Sequence, residues 1–251
     1  MTNIKERLEA HYNRAIANYG EANVLGVFLY GSQNYGTSTE NSDVDTKCIL
    51  IPDLYHLAVN PYEVKHLNVD GEVCECMTIM HMVSNWKKQN INFIEVLFTE
   101  HCIINPLFAD IWHERFTLEN KEAIGRYDIK AAVLSMAYQA KHTIKQDPTN
   151  GKKIMNAARI VQSLRRLTET KMGYKSIIWT PDVAHLRNST FETGLGDAYV
   201  NLLIASCDLF IEAAGSGKFN TDKDIKQNID WFLNDVIIDL IGYRIENLAG
   251  C

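Results

Sequence analysis

Leu29-Tyr30-Gly31-Ser32-Gln33-Asn34-Tyr35-Gly36-Thr37, followed by Ser42-Asp43-Val44-Asp45-Thr46-Lys47, is the stretch on which the reading of this chain turns. Ahead of it, Val24 to Tyr30 is rich in Val, Leu, Phe and Tyr and reads as a short buried strand. Gly31 to Ser42 is dense in Gly, Ser, Asn and Thr and reads as a loop. Val44 to Ile51 reads as a second strand, stopped by Pro52. Side chains alternate along a strand, so Asp43, Asp45 and Lys47 fall on one face and Val44, Thr46 and Cys48 on the other. Two carboxylates about 7 Å apart on one strand face repel unless something neutralises them. A hard, oxygen-preferring cation such as Mg2+ does that, and a pair of such ions would bridge triphosphate oxygens and activate a hydroxyl. Gly31 lets the backbone approach a ligand closely, while Ser32 adds a hydroxyl and an N–H; both suit a phosphate. Lys47 offers a phosphate oxygen a point charge. Gly-Ser alone is a common loop dipeptide, and Asp-x-Asp alone is usually a solvated strand end. The combination of strand, Gly-Ser, ten residues, Asp-x-Asp and strand is sharper, and its spacer lacks the Gly and Lys run of a Walker loop.

Outward from this stretch, Ile4, Leu8, Ala15, Ile16 and Tyr19 fit one face of a helix over residues 3–19, ended by Gly20. Asp70-Gly71 marks a turn before a third strand, Glu72 to Ile79. Helices are expected from Met80 to Lys88 and around Phe93 to Phe98. Past residue 105 strand signals fade, and helices are expected over 106–120, 128–146, 152–171, 196–214 and 222–248. The first half thus mixes helix and strand and the second is helical, an α+β chain dividing into residues 1–122 and 123–251. On the third of those helices, residues 152–171, Lys152, Asn156 and Arg159 recur at i, i+4 and i+7 and share a face, with Ile154, Ala157, Val161 and Leu164 on another. That polar stripe reads either as a solvated face or as a phosphate-binding one.

The 251 residues are 46% apolar and 22% charged, which excludes collagen-like, low-complexity and wholly disordered chains. A net charge of −6 argues against broad duplex-DNA binding, while leaving room for a local basic patch at one nucleotide. Apolar runs fall short of a bilayer span, so no membrane association is expected. Met1 to Gly20 lacks the apolar core of a signal peptide, and Cys48, Cys74, Cys76, Cys102, Cys207 and Cys251 are expected as reduced thiols in a cytoplasm. The eight histidines are dispersed, and His185-Leu186-Arg187-Asn188 is left without a role beyond a place at the cleft rim.

Gly31-Ser32-x10-Asp43-x-Asp45 resembles the signature of the DNA polymerase β-like nucleotidyltransferase superfamily. The longer string resembles one branch, the predicted nucleotidyltransferases of bacteria and phages, some associated with RNA repair. Asn90-Ile91-Asn92-Phe93-Ile94-Glu95-Val96-Leu97-Phe98 is similar to that branch's Asn-Pro-Asn…Glu-x-Leu-Phe segment, with Ile91 in place of proline. Lys152, Asn156 and Arg159 stand where the branch tends to have Lys, His and Arg. The resemblance touches residues 30–160; beyond them only helical character matches. It implies a small mixed sheet with helices on one side, the polymerase β-like palm, then a helical bundle closing the cleft. It implies transfer of a nucleoside monophosphate from a nucleoside triphosphate, with Mg2+ or Mn2+, to a hydroxyl-type acceptor such as an RNA end, a protein or a small molecule. Asp43 and Asp45 would be catalytic metal ligands. Gly31, Ser32, Lys47, Lys152, Asn156 and Arg159 would bind the nucleotide and its phosphates. The superfamily usually carries a third carboxylate on the neighbouring strand. Glu72 and Glu75 have opposite parity, so only one shares the inner face. Glu75, mid-strand among apolar residues, is the candidate, with Glu72 read as a turn residue. Two other readings stand beside this one: an inactive nucleotide-binding or protein-interaction module of the same fold, and a chain whose helical half is the main functional surface.

Overall fold

The computed structural model describes residues 4–40, 42–169, 172–189, 191 and 195–248. Cys251, Thr170 and Lys171, which figure in the expectations above, lie outside the described residues. The fold is α+β. Helix α1 (Ile4–Tyr19) leads into β1 (Val24–Tyr30), the one-turn helix α2 (Ser32–Tyr35) and β2 (Asp45–Leu50). Helix α3 (Leu54–Val59), β3 (Val64–Val69), β4 (Glu72–Thr78), α4 (Ile79–Lys87), α5 (Ile91–Ile94) and β5 (Cys102–Ile104) follow. The remainder is helical: α6 (Ala109–Arg115), α7 (Leu118–Gly125), α8 (Ile129–Gln146), α9 (Gly151–Glu169), α10 (Tyr174–Ile178), α11 (Leu195–Gly215) and α12 (Lys223–Leu248).

Among the described residues five strands form one sheet, in the order β3-β4-β2-β1-β5. Only β2 and β4 run parallel, with Lys47 opposite Glu75; the other pairs are antiparallel. The parallel pair needs a crossover, which α3 and β3 supply. Strand β3, not expected from sequence, is mostly exposed and carries Lys65, His66 and Asn68, so it lacks the apolar alternation that marks a half-buried strand. Strand β5 has only three residues and lies at the other edge. The helix expected over 106–120 is two, because Thr117 caps α7 by accepting from the Asn120 N–H.

The sheet is covered on both faces. One face, with Val27, Leu29, Cys48, Leu50, Cys74 and Cys76, packs on Leu8 and Ala15 of α1. The other, with Phe28, Ile49 and Met77, joins the main core of Trp86, Phe108, Trp112 and the helical half. Each such aliphatic or aromatic burial contributes about 1.5–3 kcal/mol. The core continues across residues 122 and 123. Helix α12 returns to the sheet half, where Arg244 Nε donates to Asn23 Oδ1 at 2.7 Å and Lys87 pairs with Asp230 at 2.8 Å. Cys48, Cys74, Cys76 and Cys207 are buried free thiols and Cys102 is an exposed one. Among the described residues one helix segment, Gly196–Gly215, is long and apolar enough to cross a membrane by length and composition, with mean hydropathy 1.3; in this fold it lies against α8 and α9.

Candidate active site

Strand β1 ends where the main chain turns at Gly31, with φ 87° and ψ −150°. That conformation favours glycine, and a Cβ there would lie 3.3 Å from Asp45 Oδ2. Gly31 therefore lets the turn press against a carboxylate of the next strand. The turn is held from beneath by Glu95, whose Oε2 accepts the Gly31 N–H at 3.2 Å and whose Oε1 accepts the Tyr35 hydroxyl at 2.5 Å. Asn34 Nδ2 donates to the Leu29 carbonyl at 2.9 Å, tying α2 back to β1. Glu95 is fully buried, and burial raises its carboxyl to about 7, against the pull of Arg159, Tyr35 and the Gly31 N–H.

Asp43 and Asp45 sit where the chain enters β2, on the sheet face toward the helical half. Their backbone is fixed from the opposite face: the Val44 N–H donates to Glu72 Oε1 at 2.8 Å, and Arg7 Nε donates to Glu72 Oε2 at 3.0 Å. Glu72 is thus more than a turn residue; it anchors the Asp-x-Asp segment. Asp45 is half-buried and, among the described residues, accepts no hydrogen bond and forms no ion pair. Its carboxyl is raised, first by burial, then by the charges of Asp43 and Glu75, while Lys152 and Lys47 pull it down. Two hard oxygen donors in mutual repulsion fit a cation such as Mg2+, which is commonly held by one or two carboxylates together with substrate phosphates.

Lys47 and Glu75 stand opposite each other in the parallel register and form an ion pair. The Lys47 ammonium is buried, 2% exposed, between the rings of Tyr30 and Phe93, with Nζ 3.9 and 4.5 Å from their centroids. Among the described residues no three His, Cys, Asp or Glu side chains come together in a group that could hold a metal.

Helix α9 supplies the other wall. It starts hard against the Leu186–Ser189 backbone, where a Cβ on Gly151 would lie 2.6 Å from three carbonyl oxygens. This brings Lys152 and Arg187 to the same opening. The stripe Lys152, Asn156, Arg159 runs from exposed through half-buried to buried. Arg159 is 3% exposed, its guanidinium lies 3.5 Å from the Tyr35 ring centroid, and its Nε and Nη1 have no hydrogen-bond partner. Arg187 Nη1 donates to the Thr37 carbonyl at 3.0 Å.

These walls enclose a cavity of about 340 Å³. Of the residues singled out from sequence, it brings together Gly31, Ser32, Asp43, Asp45, Lys152, Asn156 and Arg159; Lys47 and Glu75 are not among its lining. Tyr30, Gln139, Thr143 and Arg187 line it as well. Sequence reasoning gave Glu95 no role of its own. The available signal was a carboxylate inside the apolar run Ile94, Val96, Leu97, Phe98. Arg187, given only a place at the cleft rim from sequence, lines the cavity but had no comparable signal.

No family model matches this chain, and no curated protein matches it. Among solved structures it is similar to a nucleotidyltransferase-like protein from Exiguobacterium sibiricum 255-15. That similarity has 14% identity, covers 86% of this chain and 78% of the other, and overlaps loosely, with a TM-score of 0.30.

Proposed function

We propose that this chain is a metal-dependent nucleotidyltransferase, moving a nucleoside monophosphate from a nucleoside triphosphate to a hydroxyl-type acceptor with release of pyrophosphate. One observation carries the reading. Arg159 keeps two N–H donors without partners while almost wholly buried, and it lines the same cavity as the unpartnered carboxylate of Asp45. An unsatisfied buried guanidinium costs several kcal/mol unless an anion meets it. A cavity with cations on one wall and repelling carboxylates on the other suits a ligand that is itself a polyanion carrying a divalent cation.

In this reading Asp43 and Asp45 hold Mg2+, which would neutralise charge on the phosphates and on the attacking oxygen. Arg159 and Lys152 bind phosphate oxygens, Arg159 through its free N–H groups and Lys152 as a mobile charge at the rim. The Gly31-Ser32 turn presents backbone and hydroxyl to a phosphate at close range. Glu95 and Tyr35 keep that turn and the Arg159 plane in fixed relation, so little reorganisation is needed when charge develops on the α-phosphate. The pyrophosphate leaves toward Lys152.

A second reading, a binding-only module of the same fold, is favoured by the engagement of Glu75 with Lys47. A transfer assay separates the two. Each of the four α-32P-labelled ribonucleoside triphosphates is incubated with Mg2+ or Mn2+, pooled cell RNA and protein, beside an Asp43→Asn/Asp45→Asn double variant. Label entering one pool, and lost in the variant, supports transfer and names the acceptor class. Nucleotide binding without transfer favours the module, and full activity in the double variant sinks the enzyme reading.

A further inference from the structure

A pair of metal ions beside Asp43 and Asp45 would draw on the third carboxylate, Glu75. The surroundings of Glu75 argue otherwise. Lys47 points from β2 toward the same sheet face as Asp45, yet it is sealed from solvent. A buried ammonium needs a counter-charge, and removing one partner of such a pair is strongly destabilising. Glu75 is that counter-charge: Oε2 meets Lys47 Nζ, and Oε1 faces His66 Nε2 at 3.9 Å. The Tyr30 and Phe93 rings close over the ammonium and favour a cation there through their π faces. Tyr30 also lines the cavity, so one residue both packs on the Lys47 ammonium and borders the nucleotide space.

Resting on the nucleotide reading above, we infer that this site takes a single divalent cation, on Asp43 and Asp45, and that the Lys47 ammonium supplies the second positive charge. A second divalent ion drawn to Glu75 would have to approach a fixed like charge and take away the carboxylate that pairs with it. The Lys47–Glu75 pair is then a permanent part of the electrostatics beside Asp45, present before any ligand arrives.

Counting bound Mn2+ tests this. The full-length chain is titrated with Mn2+ in the presence of each α,β-methylene nucleoside triphosphate, with free Mn2+ read by electron paramagnetic resonance and folding by circular dichroism. The expected count is one Mn2+ per chain, unchanged in Glu75→Gln and lost in Asp45→Asn. Lys47→Met releases Glu75 and is expected to raise the count to two, and Lys47→Met/Glu75→Gln to return it to one. Should Lys47→Met or Glu75→Gln fail to fold, Lys47→Met/Glu75→Gln, which removes both charges, and Lys47→Arg, which keeps both, still decide, each holding at one. Two ions on the wild type with nucleotide bound, or loss of the single ion in Glu75→Gln, overturns the inference and leaves the nucleotide site standing. A folded wild type that takes neither nucleotide nor Mn2+ overturns both.

Discussion

Asp45 and Glu72 belong to neighbouring strands of one sheet, point to opposite faces, and meet opposite surroundings. Glu72 is matched on every side. It accepts the Val44 N–H, pairs with Arg7, and lies 3.5 Å from His11 Nε2. Asp45, two residues past the Asp43 it repels, meets no donor among the described residues. The same contrast separates the cations: Arg7 is spent on Glu72, whereas the buried Arg159 Nε and Nη1 have no hydrogen-bond partner. A charge that finds its partner within the fold is architecture. A half-buried or buried charge without one raises the energy of the empty protein and lowers that of the complex.

The largest effect should come from the unmatched side. Under the proposed function Asp45→Asn removes a carboxylate that would hold the metal, and it is expected to lower transfer by about a hundred- to a thousandfold, as loss of a main electrostatic element does. It should not lower the melting temperature. Burial and Asp43 raise the Asp45 carboxyl, so its ionised form opposes folding at neutral pH, and a neutral amide relieves that. A clear drop in melting temperature would break the contrast with Glu72.

Arg159→Met comes next. Losing charge-assisted hydrogen bonds worth about 2–3 kcal/mol should weaken triphosphate binding by roughly 30- to 150-fold in calorimetry. Arg7→Met should leave that affinity within about threefold, because its charge already has a partner in the fold. Equal losses from both would mean that unpartnered N–H groups do not mark the phosphate wall.

How much of this was legible in the sequence follows from the range of each interaction. Strands β1, β2 and β4 and helices α1, α8, α9 and α12 were readable because their signals are local: β-branched runs or apolar periodicity. Strand β3 was not, because an exposed edge strand has no apolar face to display. The Gly31-Ser32 and Asp43-x-Asp45 motif could be picked out because its parts lie within fifteen residues. The opposite parity of Glu72 and Glu75 was equally readable, and the register shows what it means: Glu72 turns toward Arg7 on α1, Glu75 toward Lys47. What could not be read was pairing at a distance. Lys47 finds Glu75 only because β4 docks parallel to β2, and Tyr35 finds Glu95 sixty residues on. Arg187 reaches Thr37 across 150 residues, set by where α9 begins, and no local pattern encodes that.

On the matched side, Glu72→Gln should be a stability variant. The amide can still accept the Val44 N–H but loses the charge that holds Arg7, a part-exposed pair, so the loss should be about 1 kcal/mol in urea unfolding. Glu72→Ala also strands the Val44 N–H and should lose about 1–3 kcal/mol. In both, triphosphate affinity should change little while transfer falls modestly, because the Asp-x-Asp backbone is no longer fixed. A Glu72 variant that abolished nucleotide binding without loss of stability would place Glu72 on the ligand side of the comparison.

Glu95 tests the comparison where it is finest, since this carboxylate is matched by hydrogen bonds yet buried on the cavity side. Its carboxyl moves from the ordinary 4.5 to about 7 on folding, chiefly through burial, with Arg159, Tyr35, the Gly31 N–H and Lys47 pulling the other way. The folded protein therefore binds this proton more tightly than the unfolded chain does. Its contribution to stability is fully present below pH 4.5, declines as pH rises through about 7, and is flat above that. The slope is at most about 1.4 kcal/mol per pH unit within that window. Glu95→Gln keeps a polar group under Gly31 and Tyr35 but cannot ionise, so unfolding measured from pH 5 to 8 should lose this descent. If the descent persists in Glu95→Gln, another group carries it, and Glu95 sits with Glu72 as a charge the fold has already neutralised.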